Sequence, residues 1–501
     1  NTDTDIGFIY LVQLHIAGKN FIFRTIYDFK DAIERVAIPL LNETKSCIVI
    51  YIHNLSFEFQ FLKSVISMEN VFALKNRRIA KALAYDGAIE FRCSYLLSNM
   101  SLEKFTENYN DEKYRKDKEL IDYEIKRYPW TSLTDEILYY SLMDVITLYH
   151  AVASIMNREC DTLRTIPMTN TGYVRRACRN ACIGEYQNTR KKSVRIEMNQ
   201  RFGAYKKLFY KCELSLDQYN MCVKAFRGGN THASRFYADQ ILNNVGSYDF
   251  ASSYPAVVIC SDQFPIGKFD ECTNDVQTME NLIAFSEKFF TIIEVVFETL
   301  ELRDPYNCSV PYIPAAKVER ISENDYDFIS NVSRETLDII NDNGRIIRMN
   351  KPCRFTFLGV ELPIILRQYT GIMHVTKCYY TEKGYLPNEL RKTCYEWYEK
   401  KTSLKHVAGM EYEYMKSKNR VNSVYGMMVE QIIKEVIEYD NTDKLLHSRQ
   451  PTEDEAKKQL KNYYTPMQRK FLAYQWGITV TAVARVRLQE MIDMCGSDFV
   501  Y

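Results

Sequence analysis

Apolar and polar positions alternate across residues 7–12 and again across 20–23, two β-like runs separated by a turn at Gly18. A helical pattern over 28–41 and a short apolar run over 47–52 follow, so the chain opens in β-β-α-β order, the signature of an α/β domain. Residues from 53 onward begin a helix, and Thr134-Asp135-Glu136 opens another in capping-box style. From 163 to 243 the pattern is helical and basic. A β-prone run at 245–250 meets a second apolar run starting at Pro255, which places Asp249 at a strand-to-helix corner. Further on come a strand-like run at 290–297, a turn at 311–314, a helical stretch at 386–428, a polar interruption at 441–461 and a long helical run at 471–494.

Length and composition add bounds. A chain of 501 residues has room for about three domains, and 46% hydrophobic with 26% charged residues is a globular balance. No apolar run approaches a membrane span, so no membrane partner is expected. The net charge is only +1, so any grip on nucleic acid must come from local basic patches. Two stretches qualify: 75–81 with Arg77 and Arg78, and the run from Arg175 through Arg190-Lys191-Lys192 to Lys206-Lys207, interleaved with Tyr173, Tyr186, Phe202 and Tyr205. Each suits a strand-tracking groove and equally a solvated helical face. The 14 cysteines include no C-x-x-C pair; Cys178 and Cys182 read as one buried helical face rather than as zinc ligands, and the pattern suits a reducing compartment.

The candidate chemistry begins at Ser247-Tyr248-Asp249-Phe250-Ala251-Ser252-Ser253-Tyr254-Pro255. A carboxylate at such a corner, followed by unpaired N–H groups and an aromatic wall, could hold a metal-bound polyphosphate. The same residues also suit an aspartate that caps a helix, with Tyr254 in the core. Lys418, Asn422 and Tyr425 stand at i, i+4 and i+7, so a helix would present all three on one face: a cation for phosphate, an amide for geometry, a ring for a base. Gly426 would allow close approach or end the turn. Two further carboxylates, Glu58 and Asp144, could share a metal pair, with Tyr140 one turn before Asp144 to orient a water. They also suit a helix N-terminal charge and a surface residue.

Taken in order, these stretches resemble the B-family DNA polymerases. D-x-x-S-x-Y-P at 249–255 is similar to motif A, and K-x-x-x-N-S-x-Y-G at 418–426 to motif B. Phe226-Arg227-Gly228-Gly229 resembles the Y-x-G-G element between exonuclease and polymerase modules, and Tyr464-Thr465-Pro466-Met467 a segment of the protein-primed branch. Residues around Glu58 and around Tyr140–Asp144 resemble the Exo II and Exo III motifs of an RNase H-like proofreading domain, although Exo II ordinarily carries aspartate. Ser101-Leu102-x-x-Phe105 is similar to that domain's single-strand grip.

The resemblance implies an α/β exonuclease domain followed by an α+β palm and helical fingers. The implied boundaries are 1–162 exonuclease, 163–240 basic connection, 241–385 palm with a first terminal-protein region, 386–430 fingers, 431–463 a second such region and 464–501 palm. It implies a two-metal magnesium site, manganese being an alternative, on Asp249 and the Phe250 carbonyl, and another on Glu58 and Asp144. Ser252, Ser253, Tyr254, Lys401, Lys418, Asn422 and Tyr425 would bind the nucleotide, with Tyr254 selecting deoxyribose and Lys400 in reach of the same triphosphate. Asn54, Phe57, Ser101, Leu102, Phe105, Phe226, Arg227, Gly228, Gly229, Ser423 and Gly426 would contact DNA. Implied partners are template-primer DNA, deoxynucleoside triphosphates and a terminal-protein primer, for a monomer in the cytoplasm of a bacterial host, encoded by a phage or mobile element. Alternatives are a non-catalytic single-strand-binding remnant and an RNA-primed relative.

Exo I is not found, Asp3-Thr4-Asp5 abutting the strand that should follow it, and motif C and a thumb are expected beyond residue 501. With neither metal pair complete, these 501 residues alone are expected to be inactive. Primer extension by them in magnesium would contradict this.

Overall fold

The computed structural model describes residues 7–110, 114, 125–184, 203–237, 239–272, 279–321, 339–465 and 470–500. The chain folds as two units, 1–173 with 435–451, and 174–434 with 452–501.

In the first unit, strand Val12–Ile16 pairs antiparallel with Lys19–Phe23. Ala17 and Gly18 join them, both at positive φ, the geometry of a two-residue hairpin turn. That turn decides the register, so the first strand runs up to residue 16 instead of ending at 12 as the alternation suggested. Helix Ile26–Thr44 follows, capped by the Thr25 hydroxyl, which accepts from the Asp28 N–H. A four-stranded sheet has the order Ile48–Ile52, Ile89–Cys93, Arg78–Ala84, Met68–Lys75, with the first pair parallel. Among the described residues no strand joins the 12–23 hairpin to this sheet. Helices Leu55–Val65, Leu102–Tyr109 and Asp135–Arg158 complete the unit. Its last piece comes from far along the chain: hairpin Val436–Asp440 with Leu445–Arg449 sets Tyr439 edge-on to Phe59 at 5.7 Å. Lys63 Nζ donates to the Lys444 carbonyl at 2.7 Å.

The second unit is built on a seven-stranded antiparallel sheet. Strand Phe290–Leu302 is at its centre, pairing with Cys353–Leu358, Arg345–Met349 and Tyr369–Thr381. Thirteen residues long and mostly buried, it extends past the run seen in the sequence because three partners satisfy its backbone. Helices Asn388–Ser403 and Glu411–Met428 fill the 386–428 stretch, and helix Tyr474–Cys495 is buried from Tyr474 through Arg485. Trp476 is fully buried, with its indole N–H donating to the Pro265 carbonyl at 2.9 Å. The β-prone run 245–250 forms no strand: Val245, Tyr248 and Phe250 are exposed, because no neighbouring strand among the described residues completes a ladder there. Asp249 therefore leads into helix Ser253–Cys260 from open chain.

The core of this unit contains a carboxylate, Glu361, with no exposed surface. Its Oε1 accepts from Tyr312 Oη at 2.5 Å, from Arg485 Nη2 at 2.8 Å and from Arg227 Nη2; its Oε2 accepts from the Leu358 N–H at 3.1 Å. The Arg227 guanidinium lies over Phe355 at 4.9 Å and Tyr312 at 5.3 Å. Burial alone would raise the Glu361 pKa, but the two guanidinium groups hold it down at about 2. Because the folded pKa lies below the ordinary 4.5, this contribution is present above pH 4.5 and is lost as pH falls toward 2; it amounts to about 3 kcal/mol. Glu361→Gln strands two buried cations and should cost about 3–5 kcal/mol at pH 7. Urea unfolding of both proteins at pH 7 and pH 3 checks this, and the gap between them should shrink at the lower pH.

Candidate functional site

Helix Ser253–Cys260 starts after Ser252, which sits in the left-handed region at φ 54° and makes no side-chain cap. Its hydroxyl instead accepts from Lys401 Nζ at 2.6 Å, on helix Asn388–Ser403. The neighbouring Lys400 is paired with Glu413 at 2.6 Å, so of the two lysines it is Lys401 that reaches this corner. One turn into the motif, the Tyr254 ring lies 4.6 Å from the Tyr425 ring on helix Glu411–Met428, tilted by 50°. Burial and the neighbouring Tyr254 raise the Tyr425 hydroxyl pKa. On the same helix Lys418 is half-buried with its ammonium over Tyr414 at 6.0 Å, Asn422 is exposed and Ser423 is half-buried. A Cβ on Gly426 would meet nothing within 4 Å, so the fold itself does not require glycine there. Asp249 is exposed, Ser253 half-buried and Phe250 43% exposed.

The 226–229 element approaches from the other side. A Cβ on Gly229 would lie 2.9 Å from the Tyr254 hydroxyl, so glycine leaves room for that ring. Phe226 caps helix Leu216–Ala225 and is half-buried, and Gly228 is exposed. Arg227 does not face solvent as the sequence reading expected: it is spent on Glu361, because a guanidinium buried among aromatic rings needs a carboxylate. Arg485 secures the same loop, donating to the carbonyls of Arg227 and Gly228, the latter at 3.0 Å. Neither Glu361 nor Arg485 stood out in the sequence, since 134 and 124 residues separate the carboxylate from its two cations.

In the first unit, Asn54 is exposed at the left-handed N-cap of helix Leu55–Val65 and Glu58 is in its first turn. Glu58 Oε2 is buried without a hydrogen-bond partner among the described residues, and burial lifts the carboxyl to about 7. Tyr140, 8% exposed, and Asp144, half-buried, stand one turn apart on helix Asp135–Arg158, as their spacing required. Phe57 is 62% exposed beside Phe61. Ser101 caps helix Leu102–Tyr109 by accepting from the Lys104 N–H, Leu102 is half-buried and Phe105 is fully buried, a core residue with no face for DNA. His53, just before helix Leu55–Val65, approaches Ser94 Oγ at 3.1 Å and Tyr95 edge-on at 5.7 Å.

The two basic stretches separate. Lys75, Arg77 and Arg78 are exposed at a hairpin tip. In the second run Tyr205 and Lys206 are buried in the core, and Arg175, partly exposed, is paired with Glu430 at 2.7 Å. Tyr186, Arg190, Lys191, Lys192 and Phe202 lie outside the described residues, as do Asp3, Asp5, Pro466 and Met467. Cys178 and Cys182 are fully buried on one helical face. No helix among the described residues is long and apolar enough to cross a membrane.

No family model and no curated protein matches this sequence. Among solved structures, the fold is that of a DNA polymerase. Phi29 DNA polymerase with primer-template DNA and incoming nucleotide substrates superposes with a TM-score of 0.60 at 16% identity, covering 95% of this chain and 72% of that one. Phi29 DNA polymerase in an orthorhombic crystal form gives 0.59 at 16% identity, and its complex with single-stranded DNA gives 0.58 at 15%, with the same coverage of each chain.

The Glu58 shift has a measurable sign. Its folded pKa of about 7 lies above the ordinary 4.5, so the folded state is penalised as pH rises from 4.5 through 7; the full penalty is up to about 3 kcal/mol. Glu58→Gln should therefore stabilise the protein at pH 8 and change little at pH 4, as read by thermal unfolding at both.

Proposed function

We propose that this chain carries the exonuclease, palm and fingers modules of a protein-primed B-family DNA polymerase, which extends DNA from deoxynucleoside triphosphates. The single observation that carries the reading is convergence: Lys401 and Tyr425, from two helices, meet Ser252 and Tyr254 three and five residues beyond Asp249. In this reading Lys401 and Lys418 neutralise the triphosphate, Asn422 orients it, and Tyr425 and Tyr254 bound the base and sugar. The Tyr254 ring, backed by Gly229, would exclude a ribose 2′-hydroxyl.

The donors at Asp249 suit magnesium, which takes one or two carboxylates and fills its remaining positions with substrate phosphates and water. An exposed carboxylate beside the Phe250 carbonyl is such a set. Bound there, the metal supplies charge neutralisation and an activated primer hydroxyl. Glu58 and Asp144, with Tyr140 one turn away, would serve proofreading. The unpartnered Glu58 oxygen fits a cation or a proton, and cation binding would have to displace that proton. A terminal protein would present the first primer hydroxyl, and Lys75, Arg77 and Arg78 offer charge for the DNA backbone.

Nucleotide binding tests the reading without requiring turnover. In magnesium the chain should retain a deoxynucleoside triphosphate in preference to its ribonucleotide. Lys418→Ala should weaken binding at least tenfold, and Tyr254→Val should narrow the sugar preference. Absence of nucleotide binding, or a Lys418→Ala protein that binds as the parent does, would remove the assignment.

A further inference from the structure

In the first unit, three aromatic rings form a column that none of the roles above uses. Phe8 lies parallel to Tyr128 with centroids 5.9 Å apart and an interplanar angle of 15°, and Tyr128 lies parallel to Trp130 at 5.1 Å and 4°. Phe8 and Tyr128 are half-buried, whereas Trp130 is 79% exposed, so the column ends in an open indole face. A large apolar side chain left in water forgoes the stabilisation of burial. Parallel aromatic contacts that end in an exposed indole leave a face on which a further flat ring can stack.

The turn that holds Trp130 is fixed from two directions. Within it, the Thr131 N–H donates to the Tyr128 carbonyl at 2.9 Å and the Tyr128 N–H to Thr131 Oγ1 at 2.7 Å, with Pro129 setting the backbone between them. From outside it, Arg24 donates through Nη1 and Nη2 to the Thr131 carbonyl, both at 3.0 Å, and through Nη2 to the Pro129 carbonyl. These bonds spend the guanidinium on carbonyls and not on a carboxylate, leaving its positive charge at the turn. A preorganised aromatic face on a turn that also carries a cation matches one ligand well: a base that stacks, carried on a phosphate chain that the cation attracts.

We infer that Trp130, on the column of Tyr128 and Phe8, is a stacking platform for an unpaired nucleobase of a single strand. This rests on the nucleic-acid reading above and adds a position to it. The platform tolerates any base, since every base has a π face.

The test is titration of the chain with a short oligothymidylate, following tryptophan fluorescence. The sequence holds three tryptophans; Trp476 is fully buried and Trp397 half-buried, so the quenching that Trp130→Phe and Trp130→Ala abolish is that of the exposed one. The oligonucleotide should quench the parent. Trp130→Ala should bind about 5- to 150-fold more weakly, the range for one base–aromatic stack, and Trp130→Phe should recover much of the loss. An abasic oligomer of the same length should bind the parent and Trp130→Ala alike. Equal affinity of parent and Trp130→Ala for the oligothymidylate, or parent binding of the abasic oligomer as tight as of the oligothymidylate, would overturn the platform alone. No binding by any of the proteins would overturn it together with the nucleic-acid reading.

Discussion

One buried carboxylate ties together separated parts of the second unit. Glu361 is held by two arginines and a tyrosine hydroxyl from separated parts of the chain, and without it two buried guanidinium charges would be left uncompensated. Through Arg485 the cluster grips the carbonyls of Arg227 and Gly228. Gly229 comes next in the chain, and its missing side chain is what lets the Tyr254 hydroxyl stand where it does. The position of a ring in the candidate nucleotide pocket thus traces back to an ion cluster in the core. Such an arrangement fixes one loop geometry where an apolar core would be more permissive, since Arg485 Nη1 donates to two successive carbonyls of that loop.

Much of this was legible in the sequence where the signal was local. The i, i+4, i+7 spacing of Lys418, Asn422 and Tyr425 needs only a helix, and helix Glu411–Met428 supplies it. Tyr140 and Asp144 needed only the helix that Thr134 caps. The elements that did not follow were those whose identity depends on a distant partner. Residues 245–250 have strand propensity, but a strand exists only where a neighbour pairs with it. Arg227 looked like a charge for DNA because nothing near it in sequence announces Glu361. Phe105 and Lys206 carry the residue types of a nucleic-acid surface, yet packing turns both inward.

The likeness to Phi29 DNA polymerase fixes the fold at low identity. Across such a distance the backbone frame survives because it depends on volumes and periodicities that many side chains satisfy. The pocket is less forgiving. Its four contacting residues come from three helices, so the tyrosine pair and the lysine–serine bond depend on how those helices pack.

The hairpin at 436–449 carries a consequence for how the molecule is made. Its Tyr439 covers Phe59, and its Lys444 carbonyl takes the Lys63 ammonium, so one face of the first unit is finished by residues synthesised roughly 260 positions after the rest of it. At typical elongation rates that is a wait on the order of 10–50 s. During it the amino-terminal unit leaves the ribosome with an aromatic surface uncovered, available to chaperones or to a neighbouring nascent chain. Maturation of the first unit therefore waits on synthesis of the first stretch of the second, 174–434, whatever the order in which their individual helices and strands form.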